Sequence, residues 1–160
     1  MHFSTADLYD AHGDAIGVCA PVFRDFGGRS VFFGQAETVK CFEDNSRVKE
    51  ALAEPGQGRV LVVDAGGSAR CAMLGDLIAE SAVDNGWAGV VMHGSVRDVA
   101  RLAMLDIGIK ALTATPRKSM RRGEGQRGLR LEIAGVHISP GDWIYCDADG
   151  VIVSDTRLTS

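Results

Sequence analysis

The hydrophobic and polar positions change their period between the first two thirds of the chain and the last third. In the first part, short apolar runs typical of strands covered on both faces alternate with segments of helical apolar spacing. The predicted strands lie at residues 30–41, 59–64, 88–92 and 107–114, and the predicted helices at 6–11, 47–53, 75–84 and 99–105. Four shorter strands follow at 129–133, 136–138, 143–146 and 151–153. This order predicts an α/β fold, a compact sandwich in one domain over residues 1–160.

The stretch at residues 73–98 carries the most informative arrangement of polar groups. Gly75 and Asp76 begin a predicted helix that ends at Asn85-Gly86. A buried strand follows at 88–92, and the sequence His93-Gly94-Ser95 is expected to leave the strand end as a turn. Arg97 and Asp98 come directly after that turn, so the start of the helix and the carboxyl end of the strand are expected to lie close together.

The chemistry of these groups suits a small carboxylic acid bound beside a metal ion. The first turn of a helix offers free backbone N–H groups to an anion. The guanidinium of Arg97 offers a planar fork to a carboxylate, and the carboxylate of Asp98 can hold a hard divalent cation, partly through water. The alternative is that Gly75-Asp76 only begins a helix and that Arg97 and Asp98 form a local pair at the surface.

Composition and charge narrow the class of protein. The net charge of −4 gives the whole molecule no electrostatic attraction to nucleic acid. The first residues lack the charged and then apolar pattern of a signal peptide, and no apolar run has the length of a membrane span, which favours a cytoplasmic protein. The four cysteines are widely spaced, which favours reduced, buried thiols over a zinc site or disulfides.

Two further motifs lie between residues 116 and 130. A literal G-x-G-x-x-G spans 123–128, but no strand leads into it and a strand follows it, so a dinucleotide site is not expected. Six cations fall in the same region: Arg117, Lys118, Arg121, Arg122, Arg127 and Arg130. They indicate either a contact with RNA or an acidic protein, or a solvated loop that is free or paired with acids of a neighbouring subunit. The lack of interleaved aromatic residues favours the solvated loop.

Several isolated polar residues have both a functional and a structural interpretation. His93 could line the proposed pocket, but a lone histidine at a strand end is more often structural. Asp44 and Asp64 could hold the ligand-binding residues in place without contacting the ligand themselves, although helix capping and turn formation explain both. The sequence Asp147-Ala148-Asp149-Gly150 resembles part of a calcium loop without its terminal glutamate, so a hairpin turn is expected.

Three segments, at 74–79, 85–91 and 94–98, together resemble the RraA-like family. This family includes proteins called regulators of ribonuclease activity A and the class II 4-hydroxy-4-methyl-2-oxoglutarate / 4-carboxy-4-hydroxy-2-oxoadipate aldolases. Residues 5–10, 38–40 with Asp44-Asn45, 107–110 and 140–142 fit the same family, so the resemblance covers nearly the whole chain. It implies a swivelling β/β/α three-layer sandwich and a homotrimer with pockets between subunits.

The resemblance also implies roles for individual residues. Gly75, Asp76, Leu77 and Ile78 would hold the carboxylate of a small 2-oxo acid by backbone N–H groups, and Arg97 would bind the keto acid and steady its enolate. Asp98 would carry a divalent metal, magnesium or manganese. The same enolate chemistry gives many members oxaloacetate decarboxylase activity, since a cation and a guanidinium at the developing oxyanion lower both barriers. Asp76 could order a water molecule that transfers the proton.

The family divides into enzymes and inhibitors of an RNase E type endoribonuclease. Catalytic members resemble a pattern of Asp, twenty residues, then Arg-Asp, which Asp76 and Arg97-Asp98 match. The acid typical of the inhibitors is expected near position 101, where this chain has Ala100 and Arg101. The sequence therefore favours the enzyme, with the inhibitor as the alternative. Longer aldolases carry a C-terminal extension that this chain lacks, so weaker cleavage of the larger aldol substrates is expected. A methyltransferase has no supporting glycine motif.

Overall fold

Four parallel strands form the centre of the structure, a computed structural model that describes residues 2–158. The four helices are α1 Thr5–His12, α2 Ser46–Leu52, α3 Asp76–Asp84 and α4 Val99–Leu102. The first six strands are β1 Gly17–Val18, β2 Arg24–Asp25, β3 Phe32–Lys40, β4 Val60–Asp64, β5 Ala72–Leu74 and β6 Gly89–Val96. The other six are β7 Gly108–Ala114, β8 Gln126–Arg127, β9 Leu131–Ile133, β10 Val136–Ile138, β11 Trp143–Asp147 and β12 Gly150–Ser154.

The strands form one curled mixed sheet and one separate hairpin. In the large sheet, β3, β4, β6 and β7 are adjacent and parallel. β11, β12 and β1 extend the sheet beyond β3 in antiparallel order, and β2 pairs with β7 at the far edge. β9 and β10 form the hairpin. The early parallel strands and the late hairpins agree with the sequence pattern, and the predicted α/β sandwich is confirmed.

Two apolar cores lie on opposite faces of the parallel strands. On one face, Val63 and Met92 of the sheet pack with residues of α2 and α3, such as Leu52 and Ala79. On the other face, Val62 and its neighbours pack against the hairpin and against β11 and β12. The alternate residues of each strand thus serve two cores, which explains the continuous apolar runs in the sequence. Within residues 2–158, no helix is long and apolar enough to cross a membrane.

Strand β6 continues further than the sequence pattern predicts. The turn expected at His93-Gly94-Ser95 is wrong, because β6 runs on to Val96. Two neighbours stabilise the extra residues: Ser95 pairs with Ala72 of β5 on one side and with Thr113 of β7 on the other. The longer strand delivers Arg97 and Asp98 beside the beginning of α3.

All four cysteines are free thiols in buried positions, as predicted: Cys19, Cys41, Cys71 and Cys146. Burial raises the pKa of the Cys19 thiol to about 12, and burial followed by the nearby carboxylates of Asp64 and Asp44 raises the pKa of Cys41 to about 12. These thiols therefore stay protonated at neutral pH and act as small apolar side chains.

Candidate active site

A cavity of about 580 Å³ lies where α3 begins and β6 ends. Every residue to which the family resemblance assigns a site role lines it: Gly75, Asp76, Leu77, Ile78, Arg97 and Asp98. The rest of the wall is supplied by Ala72 of β5 and by two distant parts of the chain, Asn45 and residues 118–122. The structure thus brings the predicted site residues together and adds a second wall to them.

Gly75 allows the start of α3 to lie directly against the end of β6. A Cβ atom at this position would lie 2.8 Å from Oδ2 of Asp98 and 3.3 Å from Nε of Arg97, so a side chain here would displace the carboxylate of Asp98. Gly75 is also the N-cap of α3 and supplies no side-chain hydrogen bond to the first turn. The first-turn amides of Leu77 and Ile78 are therefore available to an anionic ligand in the cavity.

Asp98 is held in place by the helix that it faces. The backbone N–H of Asp76 donates a 3.0 Å hydrogen bond to Oδ2 of Asp98. Asp98 has left-handed backbone dihedrals, φ 59° and ψ 41°, and its carbonyl accepts bonds from the amides of Arg101 and Leu102 as α4 begins. Aspartate is one of the few residues with a side chain that tolerates this conformation. The carboxylate therefore projects from a constrained corner between β6 and α4.

Arg97 is anchored through its backbone and lightly held through its side chain. Its amide donates to the carbonyl of Leu74 at 2.9 Å, while Nη1 of the guanidinium lies 3.5 Å from the carbonyl oxygen of Pro116. The half-buried guanidinium has no carboxylate partner in the described part of the chain. It is thus positioned to bind an anionic ligand in the cavity.

The basic segment at 118–122 forms the opposite wall of the cavity, which the sequence analysis did not predict. Lys118, Arg121 and Arg122 line the same space as Arg97, so the interpretation of these residues as a solvated loop is incomplete. Arg127, by contrast, pairs with Glu54 of this chain at 2.8 Å. The buried side chains that anchor this segment, Asp44 and Asn45, lie 78 and 76 residues before their partners, so no local sequence pattern indicates its position.

Asp44 and Asn45 fix the basic segment to the beginning of α2. Both are buried, with 2% and 5% of their surface exposed. Oδ2 of Asp44 accepts the backbone N–H of Arg122 at 2.6 Å, and Oδ1 accepts the amide and hydroxyl of Ser46 at 2.9 and 2.6 Å. Oδ1 of Asn45 accepts Nε of Arg121 at 3.1 Å. Asp44 therefore supports the site, in addition to the predicted role beside the helix start.

These hydrogen bonds determine the ionisation of Asp44. Burial alone would raise the pKa of its carboxyl, but bonds from Ser46, Arg122 and Glu124 outweigh burial and lower the pKa to about 2. A carboxyl whose pKa is lower in the folded state stabilises the fold above its unfolded pKa, near 4. That contribution is lost as the pH falls from about 4 towards about 2.

The substitution Asp44→Asn should destabilise the protein by about 2 kcal/mol at pH 7. The amide keeps the shape of the side chain, but its NH₂ group must face at least one N–H donor that the carboxylate accepted. The difference between wild type and variant should shrink as the pH falls from about 4 towards 2, because the wild-type carboxyl is then protonated too. Urea unfolding at a series of pH values, at one protein concentration, measures both effects.

Asp64→Asn provides the matched control for this substitution. Asp64 accepts one backbone bond, from Gly66 at 2.9 Å, which confirms the predicted turn role. The control should cost less stability than Asp44→Asn. Equal losses at pH 7 that persist unchanged at pH 3 would contradict the ionic role of Asp44.

The remaining candidates have structural positions. His93 does not line the cavity; its ring packs edge-to-face on Phe23, with centroids 6.2 Å apart, and its Nδ1 is buried without a partner within residues 2–158. Asp147 lies in the β11–β12 hairpin, as predicted, where Oδ1 accepts the amide of Asp149 at 3.0 Å and the hydroxyl of Thr5 at 2.6 Å. The G-x-G-x-x-G segment contains β8, which pairs with β3, so no helix follows its glycines.

Position 101, where the inhibitors' acid is expected, carries an arginine bound to the neighbouring helix. Nη2 of Arg101 lies 2.7 Å from Oε1 of Glu80, so the pair joins α4 to α3 beside the cavity. The side chain of Arg101 is half exposed and adds a positive charge to this surface.

The comparisons with known proteins decide the family. The RraA-like model, described as Aldolase/RraA, matches residues 5–153. The chain belongs to the RraA-like family. Two similar curated relatives, from Alkalilimnicola ehrlichii and Laribacter hongkongensis, are each named "Putative 4-hydroxy-4-methyl-2-oxoglutarate aldolase". They are 54% and 51% identical over 158 residues, which cover 99% of this chain and 98% and 99% of theirs.

Solved structures of RraA-like proteins have the same fold. The RNA-processing inhibitor RraA from Thermus thermophilis has a TM-score of 0.94 at 43% identity, covering 98% of this chain and 95% of that one. A Geobacillus kaustophilus protein, described as an S-adenosylmethionine: 2-dimethylmenaquinone methyltransferase, has a TM-score of 0.95 at 45% identity, covering 98% and 97%. One RraA-like fold thus carries three different functional names among these relatives, and the residues of the cavity have to distinguish them.

Proposed function

We propose that this RraA-like protein is a carbon–carbon lyase that acts through a pyruvate enolate. Its reactions would be the aldol cleavage of 4-hydroxy-4-methyl-2-oxoglutarate and the decarboxylation of oxaloacetate. The observation that carries the proposal is the convergence of the start of α3, the guanidinium of Arg97 and the carboxylate of Asp98 on one cavity. Relatives about half identical to this chain are named for the aldolase reaction, which supports the same function.

The cavity residues have distinct roles in this proposal. The amides of Leu77 and Ile78 bind the carboxylate next to the keto group, since they are unpaired at the beginning of α3. Arg97 donates to the keto oxygen and stabilises the negative charge that develops there as the enolate forms. Asp76 lines the same cavity and holds a water molecule that transfers a proton between the substrate and the solvent.

The side chains at the site fit a divalent cation with few protein ligands. Oδ2 of Asp98 is fixed by the amide of Asp76, while Oδ1 has no hydrogen bond within residues 2–158. No cluster of three or more His, Cys, Asp or Glu side chains that could hold a metal is present in the described residues. One or two carboxylates completed by water suit magnesium or manganese, with Asp98 as the ligand. The cation would add positive charge beside the enolate oxygen.

Pyruvate release from oxaloacetate tests the proposal directly. The purified protein with magnesium should release pyruvate well above the background of magnesium alone, and EDTA should abolish the difference. The same assay with 4-hydroxy-4-methyl-2-oxoglutarate should yield two pyruvates per substrate. If neither substrate yields pyruvate above background, the lyase proposal is wrong.

The alternative is a regulator that binds an endoribonuclease of the RNase E type. The close structural similarity to the Thermus RNA-processing inhibitor favours it, whereas the Arg101–Glu80 pair replaces the acid expected in inhibitors. Tight binding to the ribonuclease by a protein without lyase activity would decide for the regulator.

A homotrimer is the assembly that we propose for the active protein. Two exposed apolar side chains line the cavity, Leu77 and Met120, and two more are exposed on α4 and directly after it, Val99 and Met104. Apolar rims of this kind favour contact with a further protein surface, here a second copy of the chain. Light scattering should give three times the mass of one chain.

A cytoplasmic location fits the four buried, reduced thiols.

A further inference from the structure

The wall of the cavity at residues 118–122 carries more positive charge than one carboxylate requires. Four cations line the cavity, Arg97, Lys118, Arg121 and Arg122, against the two carboxylates of Asp76 and Asp98. The amides of α3 already provide for the carboxylate beside the keto group, and Arg97 is assigned to the keto oxygen. Of the other three cations, Arg122 directs Nη2 to Sδ of Met120 at 3.7 Å, which leaves Lys118 and Arg121 for a second anionic group of the ligand.

Arg121 is placed by a buried scaffold. Asn45 accepts Nε of Arg121 at 3.1 Å while its own Nδ2 donates to the carbonyl of Met73 at 3.4 Å. The backbone amide of Asn45 donates to Met120 at 3.1 Å, and that of Met120 donates to Glu43 at 3.0 Å. The guanidinium is thus bound through Nε, and its terminal nitrogens are available to a ligand.

Two further polar groups lie beside Arg121 on the same wall of the cavity. The hydroxyl of Ser119 is buried and has no hydrogen-bond partner within residues 2–158. The ammonium group of Lys118 has no carboxylate partner in the same part of the chain. A buried hydroxyl normally has a hydrogen-bond partner, and a ligand in the cavity that Ser119 lines can supply one. Together these side chains form a cationic site with a neutral donor, which suits a carboxylate.

We infer that Lys118 and Arg121 bind the distal carboxylate of a 2-oxo dicarboxylic acid and thereby favour aldol cleavage over decarboxylation. This inference rests on the proposed function. In aldol cleavage of 4-hydroxy-4-methyl-2-oxoglutarate, the C3–C4 bond breaks and its electron pair forms the enolate of the first pyruvate. The C4 hydroxyl gives up its proton as C4 becomes the keto carbon of the second pyruvate, and the enolate takes up one proton at C3.

The distal carboxylate behaves differently in the two reactions. In the aldol reaction it stays ionised throughout, so cations that hold it stabilise the transition state as well as the bound substrate. In oxaloacetate the distal carboxylate is itself lost as CO₂, and its charge moves into the enolate. A cation that holds it stabilises the substrate more than the transition state and does not accelerate the reaction. Lys118 and Arg121 are therefore residues that determine specificity.

Three assays on the full chain with magnesium separate these contributions. They are the cleavage of 4-hydroxy-4-methyl-2-oxoglutarate, the decarboxylation of oxaloacetate, and the exchange of pyruvate methyl protons in D₂O, which needs no distal carboxylate. Lys118→Met and Arg121→Gln should each lower kcat/KM for the aldol substrate by about 10- to 100-fold, as expected for a lost charge-assisted hydrogen bond. In the same variants, kcat/KM for the decarboxylation of oxaloacetate and the rate of proton exchange should stay within about threefold of wild type.

Two further variants control for charge and for folding. Arg130→Gln removes an exposed cation of the same region that lies outside the cavity, and it should leave all three rates unchanged. Arg121→Lys keeps the charge and should recover part of the aldol rate. Unchanged aldol cleavage in Lys118→Met and Arg121→Gln, or equal losses in all three assays, would overturn the assigned subsite. A wild-type protein inactive in all three assays would instead overturn the proposed lyase function, and the subsite with it.

Discussion

Arg97→Ala should lower kcat for pyruvate release from oxaloacetate by about 10²- to 10³-fold, the loss typical of one donor removed from a developing oxyanion. The fold should survive, because the backbone amide of Arg97 keeps its bond to Leu74, and the one hydrogen bond that its side chain makes within residues 2–158, to Pro116, is long. Steady-state kinetics at saturating magnesium measure the loss, and thermal unfolding checks the fold.

The charge and the shape of Arg97 can be separated. Arg97→Lys keeps the cation but loses the planar fork, so its kcat should lie between those of wild type and Arg97→Ala. Arg29→Ala is a suitable control, because Arg29 does not line the cavity. Its Nη2 lies 3.0 Å from Oδ1 of Asp106. A turnover in Arg97→Ala equal to that of the control would remove Arg97 from the mechanism.

The main features of the candidate site could be predicted because they depend on local patterns. Helical spacing after Gly75 and an apolar run before Arg97 place both at the same edge of a parallel sheet. The 3.0 Å bond between the amide of Asp76 and the carboxylate of Asp98 agrees with that expectation. The family resemblance supplied the roles of these residues, which periodicity alone does not provide.

The features that the sequence analysis missed depend on contacts between distant residues. Strand β5 has three residues and exists because Ala72 and Leu74 pair with β6, which periodicity cannot indicate in so short a segment. The basic wall likewise depends on Asp44 and Asn45, which lie 78 and 76 residues before their partners Arg122 and Arg121. A charged loop and a helix start give no sign in sequence that they meet at one cavity.

Asp98→Asn should lower magnesium-dependent turnover by on the order of 10³-fold, equivalent to several kcal/mol of transition-state stabilisation. Asparagine can still accept the bond from the amide of Asp76, and it tolerates the left-handed backbone at φ 59°. The variant therefore removes the charge and preserves the corner between β6 and α4. Asp98→Ala loses the charge, the hydrogen-bond acceptor and the tolerance of left-handed dihedrals. It should therefore also be less stable than wild type by about 1 kcal/mol.

Direct metal binding distinguishes a ligand from a group that only shapes the site. The EPR signal of free Mn²⁺ should fall on titration with wild-type protein and stay nearly unchanged with Asp98→Asn. Asp106→Asn, which alters an exposed carboxylate outside the cavity, should bind manganese like wild type. If Asp98→Asn binds manganese normally, or if the wild-type protein keeps its turnover in EDTA, then the assignment of Asp98 as the metal ligand is wrong. Loss of turnover with normal manganese binding would then reflect the lost negative charge of residue 98, because asparagine keeps the bond from the amide of Asp76.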